Sequence, residues 1–328
     1  MATSSPTFCK QLISVLLFAA SALQEAPAQG TFPSRPLRIV VPGPAGTGFD
    51  TTARLMAPGL SERMGRQVVV ENRAGAGTMI GNDFVAKSPP DGYTLLMAAS
   101  ALAIQPALYK KMPYDSIRDF APITLAVSVP NVILVHPSVP AKSVKEMVAL
   151  AKARPGEILY GSAGTGANSH LTLELFASMA QIRLVHVPYK GATPGLTNLL
   201  GGHIAIMSLP VGDAVPHVRA GKLRALGVTS PNRVSAAPEI PTVAEAGLPG
   251  YESVNWFGLL APAGTTQEII ARLHRESVAV LRSPSVKERM AADSIEVVGN
   301  TPGEFAAFIK AESVKWAAVV KNAGITPE

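Results

Sequence analysis

Apolar residues along the chain follow two different periods. Short runs dominated by Val, Ile and Leu recur at 37–41, 67–71, 93–98, 131–136, 158–161, 183–187, 204–208, 223–229 and 253–260. Most are bounded by Gly, Pro, Asn or Asp, and such runs predict strands. Between them, stretches with apolar residues three and four apart predict helices over 50–64, 79–87, 143–153, 170–180, 193–200, 266–282 and 302–322. Strand and helix signals that alternate in this way predict an α/β protein with mostly parallel sheets. The stretch from Ile123 to His136 is long, apolar and broken at Pro130, as expected of a pair of strands crossing between domains. Pro231 to Pro249 is rich in Pro, Ala and Glu without a clear period, as expected of a return crossing. These crossings divide the chain into one lobe made of 29–128 with 231–328 and a second made of 129–230, joined by a hinge.

The word Ala-Gly-Thr-Gly occurs twice, at 45–48 and 163–166, each time between a predicted strand and a predicted helix. A Gly-rich turn of this kind aims unpaired N–H groups and the positive end of a helix dipole at one point, which suits an anion. Two such turns facing across a cleft would hold one acidic ligand from both sides. The alternative is a short word repeated by chance in an Ala- and Gly-rich chain, and a third Gly-rich turn at Ala74–Thr78 favours that alternative.

The N-terminus reads as an export signal. Lys10 precedes the apolar stretch Leu12–Leu23, and Ala26-Pro27-Ala28 supplies the small-x-small pattern of a cleavage site, placed after Ala28. The apolar stretch is shorter than the roughly 20 residues a membrane span needs. Cleavage would remove Cys9, the one cysteine in the sequence, and leave a cysteine-free exported chain. The formal net charge of +6 is scattered rather than clustered and aromatics make up 5% of the chain. That pattern argues against a nucleic-acid surface and suits a weak attraction for anionic solutes. Isolated histidines, the lack of a Gly-x-Ser-x-Gly elbow and the lack of metal-ligand spacing give no support for a hydrolase or a metal site. Neither Gly-rich turn has the spacing of a dinucleotide fingerprint. No cofactor and no metal is expected.

A set of motifs carries a resemblance. Arg35-Pro36-Leu37-Arg38-Ile39-Val40-Val41-Pro42 is followed by Pro44-Ala45-Gly46 and by Asp50 with Ala53-Arg54. Then come Val70-Glu71-Asn72-Arg73, Pro90-Asp91-Gly92-Tyr93, Gly161-Ser162-Ala163-Gly164, His186-Val187-Pro188-Tyr189-Lys190-Gly191, Pro241-Thr242-Val243 and Trp256-Phe257-Gly258. In this order they resemble the solute receptors of tripartite tricarboxylate transporters, the Bug family, over essentially the whole mature chain. The resemblance implies a two-lobed periplasmic-binding-protein fold of the Venus-flytrap, type II-like kind. It implies a small carboxylate ligand, whether a dicarboxylate, a tricarboxylate or an aromatic carboxylate. It also implies a periplasmic location and a membrane permease with one large and one small subunit as partner. A monomer is expected. The alternatives are a secreted α/β enzyme acting on a small carboxylate and a binding protein that serves a sensor.

The resemblance places the ligand loops on the two Gly-rich turns. Expected contacts are the N–H groups of Ala45, Gly46 and Thr47 with the Thr47 hydroxyl, and then Ser162, Gly164, Thr165, Asn168 and Ser169. Tyr189 is a candidate wall of the pocket and Asp213 a candidate polar contact. Asp50 is read as the N-cap of its helix in preference to a ligand contact. His170 is open between a base or cation and a turn-holding role, and Lys190 between a contact and a solvated surface. Trp256 and Phe257 are read as core, with closure of the pocket as the alternative. Gly43, Thr47, Ala167 and Ala205 depart from the usual family residues, so the pocket is expected to differ in shape from those of relatives.

Overall fold

The structure is a computed structural model that describes residues 32–327. The proposed signal segment, its cleavage point and Cys9 lie outside the described residues. The chain divides into a short unit, Met1–Ser34, and a main unit, Arg35–Glu328. The main unit is α/β. Strand β1 (Leu37–Val41) lies between β2 (Val68–Asn72) and β3 (Thr94–Ala99), parallel to both, with Ile39 opposite Val70 on one side and Leu95 on the other. A second parallel set is formed by β5 (Leu159–Ser162) between β6 (Val185–Pro188) and β7 (Ile206–Pro210).

One long strand joins the two sets. β4 runs without interruption from Phe120 to Val135, where the sequence suggested two strands broken at Pro130. Its first part pairs with β9 (Val254–Pro262) and β10 (Glu296–Val297). Its second part pairs with β7 and β8 (Arg224–Val228). Pro130 falls where β10 has ended at Ser128 and β7 has not yet begun at Asn131. A residue without an N–H is tolerated best at such a change of partner. All pairings of β4 and β9 are antiparallel, so the sheet is mixed and the expectation of mostly parallel sheets is corrected. The strand order is β2-β1-β3-β9-β4-β7-β5-β6, with β8 and β10 off this path, each paired to β4.

Helices cover the sheet. They are α1 (Gly48–Met64), α2 (Met79–Ala86), α3 (Ala101–Leu108), α4 (Val144–Ala153), α5 (Asn168–Ala180), α6 (Ala192–Leu200), α7 (Val211–Arg219), α8 (Gln267–Leu281), α9 (Pro284–Ala292) and α10 (Pro302–Asn322). The last is started by a capping box in which Thr301 and Glu304 satisfy each other's backbone N–H groups. Trp256 on β9 is fully buried and meets Phe305 and Phe308 of α10 edge-on, at 5.6 and 5.7 Å between ring centroids. Trp256 is therefore core, as the sequence suggested.

Candidate ligand site

Both Ala-Gly-Thr-Gly words form the turn from a parallel strand into a helix. The first joins β1 to α1 and the second joins β5 to α5. Ligands of open α/β sheets gather at such strand ends. Gly46, Gly164 and Gly166 take φ of 83°, 134° and 77°, a region that side chains with a Cβ enter only with strain. Thr47 and Ala167, the N-caps of α1 and α5, make no side-chain cap, so the first N–H groups of each helix are left to other acceptors.

The two turns differ in what they have available. In the first, Gly46 donates its N–H to Asp50 Oδ2 at 2.8 Å, and the Thr47 hydroxyl donates to the Pro44 carbonyl at 2.8 Å. Asp50 is not the N-cap; α1 begins earlier, with Thr47 in that role and Asp50 at the third helical position. The Asp50 carboxylate also accepts from Arg54 and from Asn72, whose amide bonds the Gly43 carbonyl. Burial would raise its pKa, but hydrogen bonds from Arg54, Gly46 and Asn72 outweigh burial and hold it below the usual value. Beside this turn Phe257 packs on Phe49 at 5.7 Å and lies over Gly48. Phe257 is 3% exposed and so belongs to the packing.

The second turn opens on a cavity of about 290 Å³. One wall is the run Ala163 to Asn168. The other is α3, through Ala101, Ile104, Gln105 and Leu108, together with Ser100, Tyr109 and Gly77 of the third Gly-rich turn. Gln105 anchors this wall by donating to the Gly77 carbonyl and accepting from the Tyr114 hydroxyl at 2.6 Å. Ser100 donates to Asn255 Oδ1 of β9 at 2.7 Å. Thr165 is exposed to this space. Asn168 Oδ1 accepts from Asn131 Nδ2 at 2.8 Å, while its own Nδ2 is buried without a protein partner. No side chain that lines the cavity is charged. A carboxylate there would be met by hydroxyl, amide and backbone N–H groups and by a helix dipole.

The remaining expected residues support the turn or stand apart. Ser162 is fully buried; its hydroxyl bonds both the N–H and the carbonyl of Gly164. Ser169 accepts the Ala163 N–H at 3.0 Å. The Tyr189 ring lies close to Gly161 and Gly195, among the apolar residues under α6. Asp213 is exposed in the first turn of α7, and Lys190 is exposed beside the second turn. His170 is 3% exposed and takes the Gly166 N–H on Nδ1 at 3.1 Å, which is the turn-holding alternative. Ala45, Gly46, Thr47, Tyr189 and Asp213 are not among the residues lining this cavity.

A sequence profile described as Tripartite tricarboxylate transporter family receptor matches residues 52–325. The chain belongs to this receptor family. Protein BugT of Bordetella pertussis is 38% identical over 318 residues, which are 96% of this chain and 98% of that protein. The solved structure of Rpa4515 from Rhodopseudomonas palustris with adipate is 36% identical, with a TM-score of 0.76 over 90% of this chain and 100% of that one. MatC from the same organism, with bound malate, is 30% identical, with a TM-score of 0.71 over 88% of this chain and 100% of that one. The fold of this receptor is thus the two-lobed α/β fold of periplasmic solute-binding proteins. Among its described residues no helix is long and apolar enough to cross a membrane. No group of three His, Cys, Asp or Glu among them has the arrangement of a metal site.

Sequence reasoning missed the α3 wall of this receptor's cavity. Its sequence, Ala-Leu-Ala-Ile-Gln-Pro-Ala-Leu, is apolar on nearly every side and contains Pro106, so no helical period marks it. A usable signal was the third Gly-rich turn, which was weighed only as evidence of chance repetition.

Proposed function

We propose that this receptor captures a small carboxylate in the periplasm and delivers it to a tripartite tricarboxylate permease with one large and one small subunit. The observation that carries the reading is the uncharged, partly apolar cavity between the Ala163–Asn168 turn and α3. Its size lies at the small end of the roughly 300–1,000 Å³ found for ligand pockets. The carboxylate would sit on free N–H groups at the head of α5, with the Thr165 hydroxyl and Asn168 Nδ2 as further donors. The adipate and malate held by the two Rhodopseudomonas relatives support a carboxylate as ligand. In the closed form the Ala45–Thr47 turn would complete the clamp, with Gly46 exchanging its bond to Asp50 for one to the ligand. Lobes 29–128 with 231–328 and 129–230 would close on one another as a monomer, after cleavage behind Ala28.

Binding without catalysis is the reading the Ser162–His186 pair supports. The two lie 2.7 Å apart, within reach of a nucleophile and its base. Yet Ser162 is fully buried and its hydroxyl is committed to Gly164, so the pair holds the turn. A thermal-shift screen of the leaderless chain against small carboxylates, adipate and malate included, tests the proposal. A ligand at about 100 times its Kd adds roughly 2.7 kcal/mol to the native state, which is several degrees in Tm. A panel that leaves Tm unmoved at millimolar concentration would reject the carboxylate reading.

A further inference from the structure

Three near-parallel aromatic rings cluster beside the second turn, with Tyr160 and His170 6.1 Å apart. Tyr160 of β5 stacks on His186 of β6 with centroids 4.9 Å apart, and His186 stacks on His170 of α5 at 3.9 Å and 15° between planes. Both ends of the turn are fastened to this cluster. Gly166 donates its N–H to His170 Nδ1 at 3.1 Å. His186 Nε2 lies 2.7 Å from the Ser162 hydroxyl, which accepts the Gly164 N–H at 3.1 Å. We propose that His170 is a positioning residue for the ligand turn, holding Gly166 only while its ring is neutral, so that acid opens the turn.

The argument rests on donor and acceptor roles. An imidazole nitrogen that accepts an N–H carries no proton, so the neutral ring of His170 has its proton on Nε2. Protonation at Nδ1 would place one N–H against another and end the bond to Gly166. Gly166 sits at a φ of 77°, and a Cβ on it would lie 2.8 Å from Leu108 across the cavity, so its position also sets the gap between the turn and α3. α10, which packs on α5, carries Lys310, Glu312, Lys315 and Lys321, of which Glu312 pairs with Lys315 and accepts from Trp316 Nε1; the elements that carry the rings add few titratable groups. On β5 there is Tyr160, on β6 there is His186, and on α5 there is Glu174, whose Oε1 lies 3.8 Å from His170 Nε2 and accepts from the Tyr160 hydroxyl. β7, on the far side of β5, places Ile206 and Met207 opposite Tyr160 and Gly161 and carries no titratable side chain.

Burial, and then the neighbouring His186, push the His170 pKa down to about 4. Burial lowers His186 as well and raises Glu174. Folding therefore favours the neutral His170. The stability linked to the neutral ring is present in full above the ordinary histidine pKa of about 6.5 and declines below it, while the hold on Gly166 within the folded chain is lost as pH falls through about 4.

The test is made on the ligand-free mature chain, so it stands apart from the identity of any carboxylate. Hydrogen-exchange protection of the Gly166 amide is followed by NMR from pH 7.5 to 4 in the wild type and in His170→Asn and His170→Leu. The Asn carbonyl oxygen can occupy the place of Nδ1 and does not titrate in this range. Protection in the wild type should fall about tenfold across the window, stay level in His170→Asn, and be low at every pH in His170→Leu. If the Leu variant does not fold, the comparison of wild type with Asn still decides. Wild-type protection that is level with pH, or an equal decline in His170→Asn, would overturn the proposal.

Discussion

Asn131 Nδ2 donates to Asn168 Oδ1 at 2.8 Å and so ties the strand that runs through both halves of the sheet to the first residue of α5. The bond fixes Asn168 against the cavity and leaves its Nδ2 buried and unpartnered. Asn131 is itself held, since its backbone N–H donates to the Thr229 hydroxyl at 3.0 Å and its carbonyl accepts from the Thr229 N–H at 2.8 Å. Nearby on α5, Thr172 shares a hydrogen bond with Ser253 at 2.7 Å. A polar seam thus links β4, α5 and the approach to β9 beside the candidate site.

Breaking this seam should cost stability and binding together. Asn131→Leu removes the donor at 2.8 Å and leaves the partly buried Asn168 oxygen with only the long bond from the Thr172 hydroxyl at 3.5 Å, a loss of about 1–3 kcal/mol. Urea denaturation should show a lower midpoint at an unchanged slope. A midpoint equal to that of the wild type would mean that the bond adds nothing to the fold.

Thr165 and Ser169 are expected to behave differently although both carry a hydroxyl in the same turn. Thr165 faces the cavity, so Thr165→Ala should weaken carboxylate binding by about 1–2 kcal/mol, some five- to thirtyfold, with Tm unchanged. Ser169 accepts the Ala163 N–H, so Ser169→Ala should lower both Tm and affinity. Isothermal titration with the carboxylate that gives the largest thermal shift, together with melting curves, separates the two. Equal melting losses in both variants would contradict the assignment.

How far the sequence reaches can be judged from particular elements. β1, β5 and β7 and helices α1, α5 and α10 were legible because Val- and Ile-rich runs and amphipathic stretches stand between Gly and Pro stops. The paired turns were legible because glycine is required there by backbone geometry. Three helices were not. α3 has no polar face, α7 is short and carries Gly212 and Pro216, and α9 follows α8 after only two residues. Pro130 was read as a break because the change of strand partners that accommodates it is a tertiary fact. The commitment of Gly46 to Asp50, and the ring cluster beside Gly166, join residues that a sequence alone does not pair.

Acid should act on the first turn through Asp50. The hydrogen bonds that hold its pKa below the ordinary aspartate value of 3.8 favour the ionised form in the folded state. Their contribution is present above that value and is lost as pH falls through the depressed one. Asp50→Asn should therefore be less stable than the wild type at pH 7 by about 1.5–3 kcal/mol, the range for hydrogen bonds to a charged group. The gap should narrow below about pH 4. Thermal melts of both proteins at pH 7 and pH 3 check this, and a gap of constant size would show that the charge is not what matters.

Leu108→Trp offers the most direct test of the cavity. Leu108 is partly exposed on the α3 wall, at the edge of the core and close to Gly166, so a larger ring there would fill the space. Isothermal titration should compare wild type and variant with the carboxylate that most raises the wild-type Tm. The account predicts a loss of at least about 2.8 kcal/mol, a hundredfold in Kd, with melting of the free protein little changed. Affinity equal to that of the wild type would place the carboxylate elsewhere and contradict the assignment of this cavity as the ligand site.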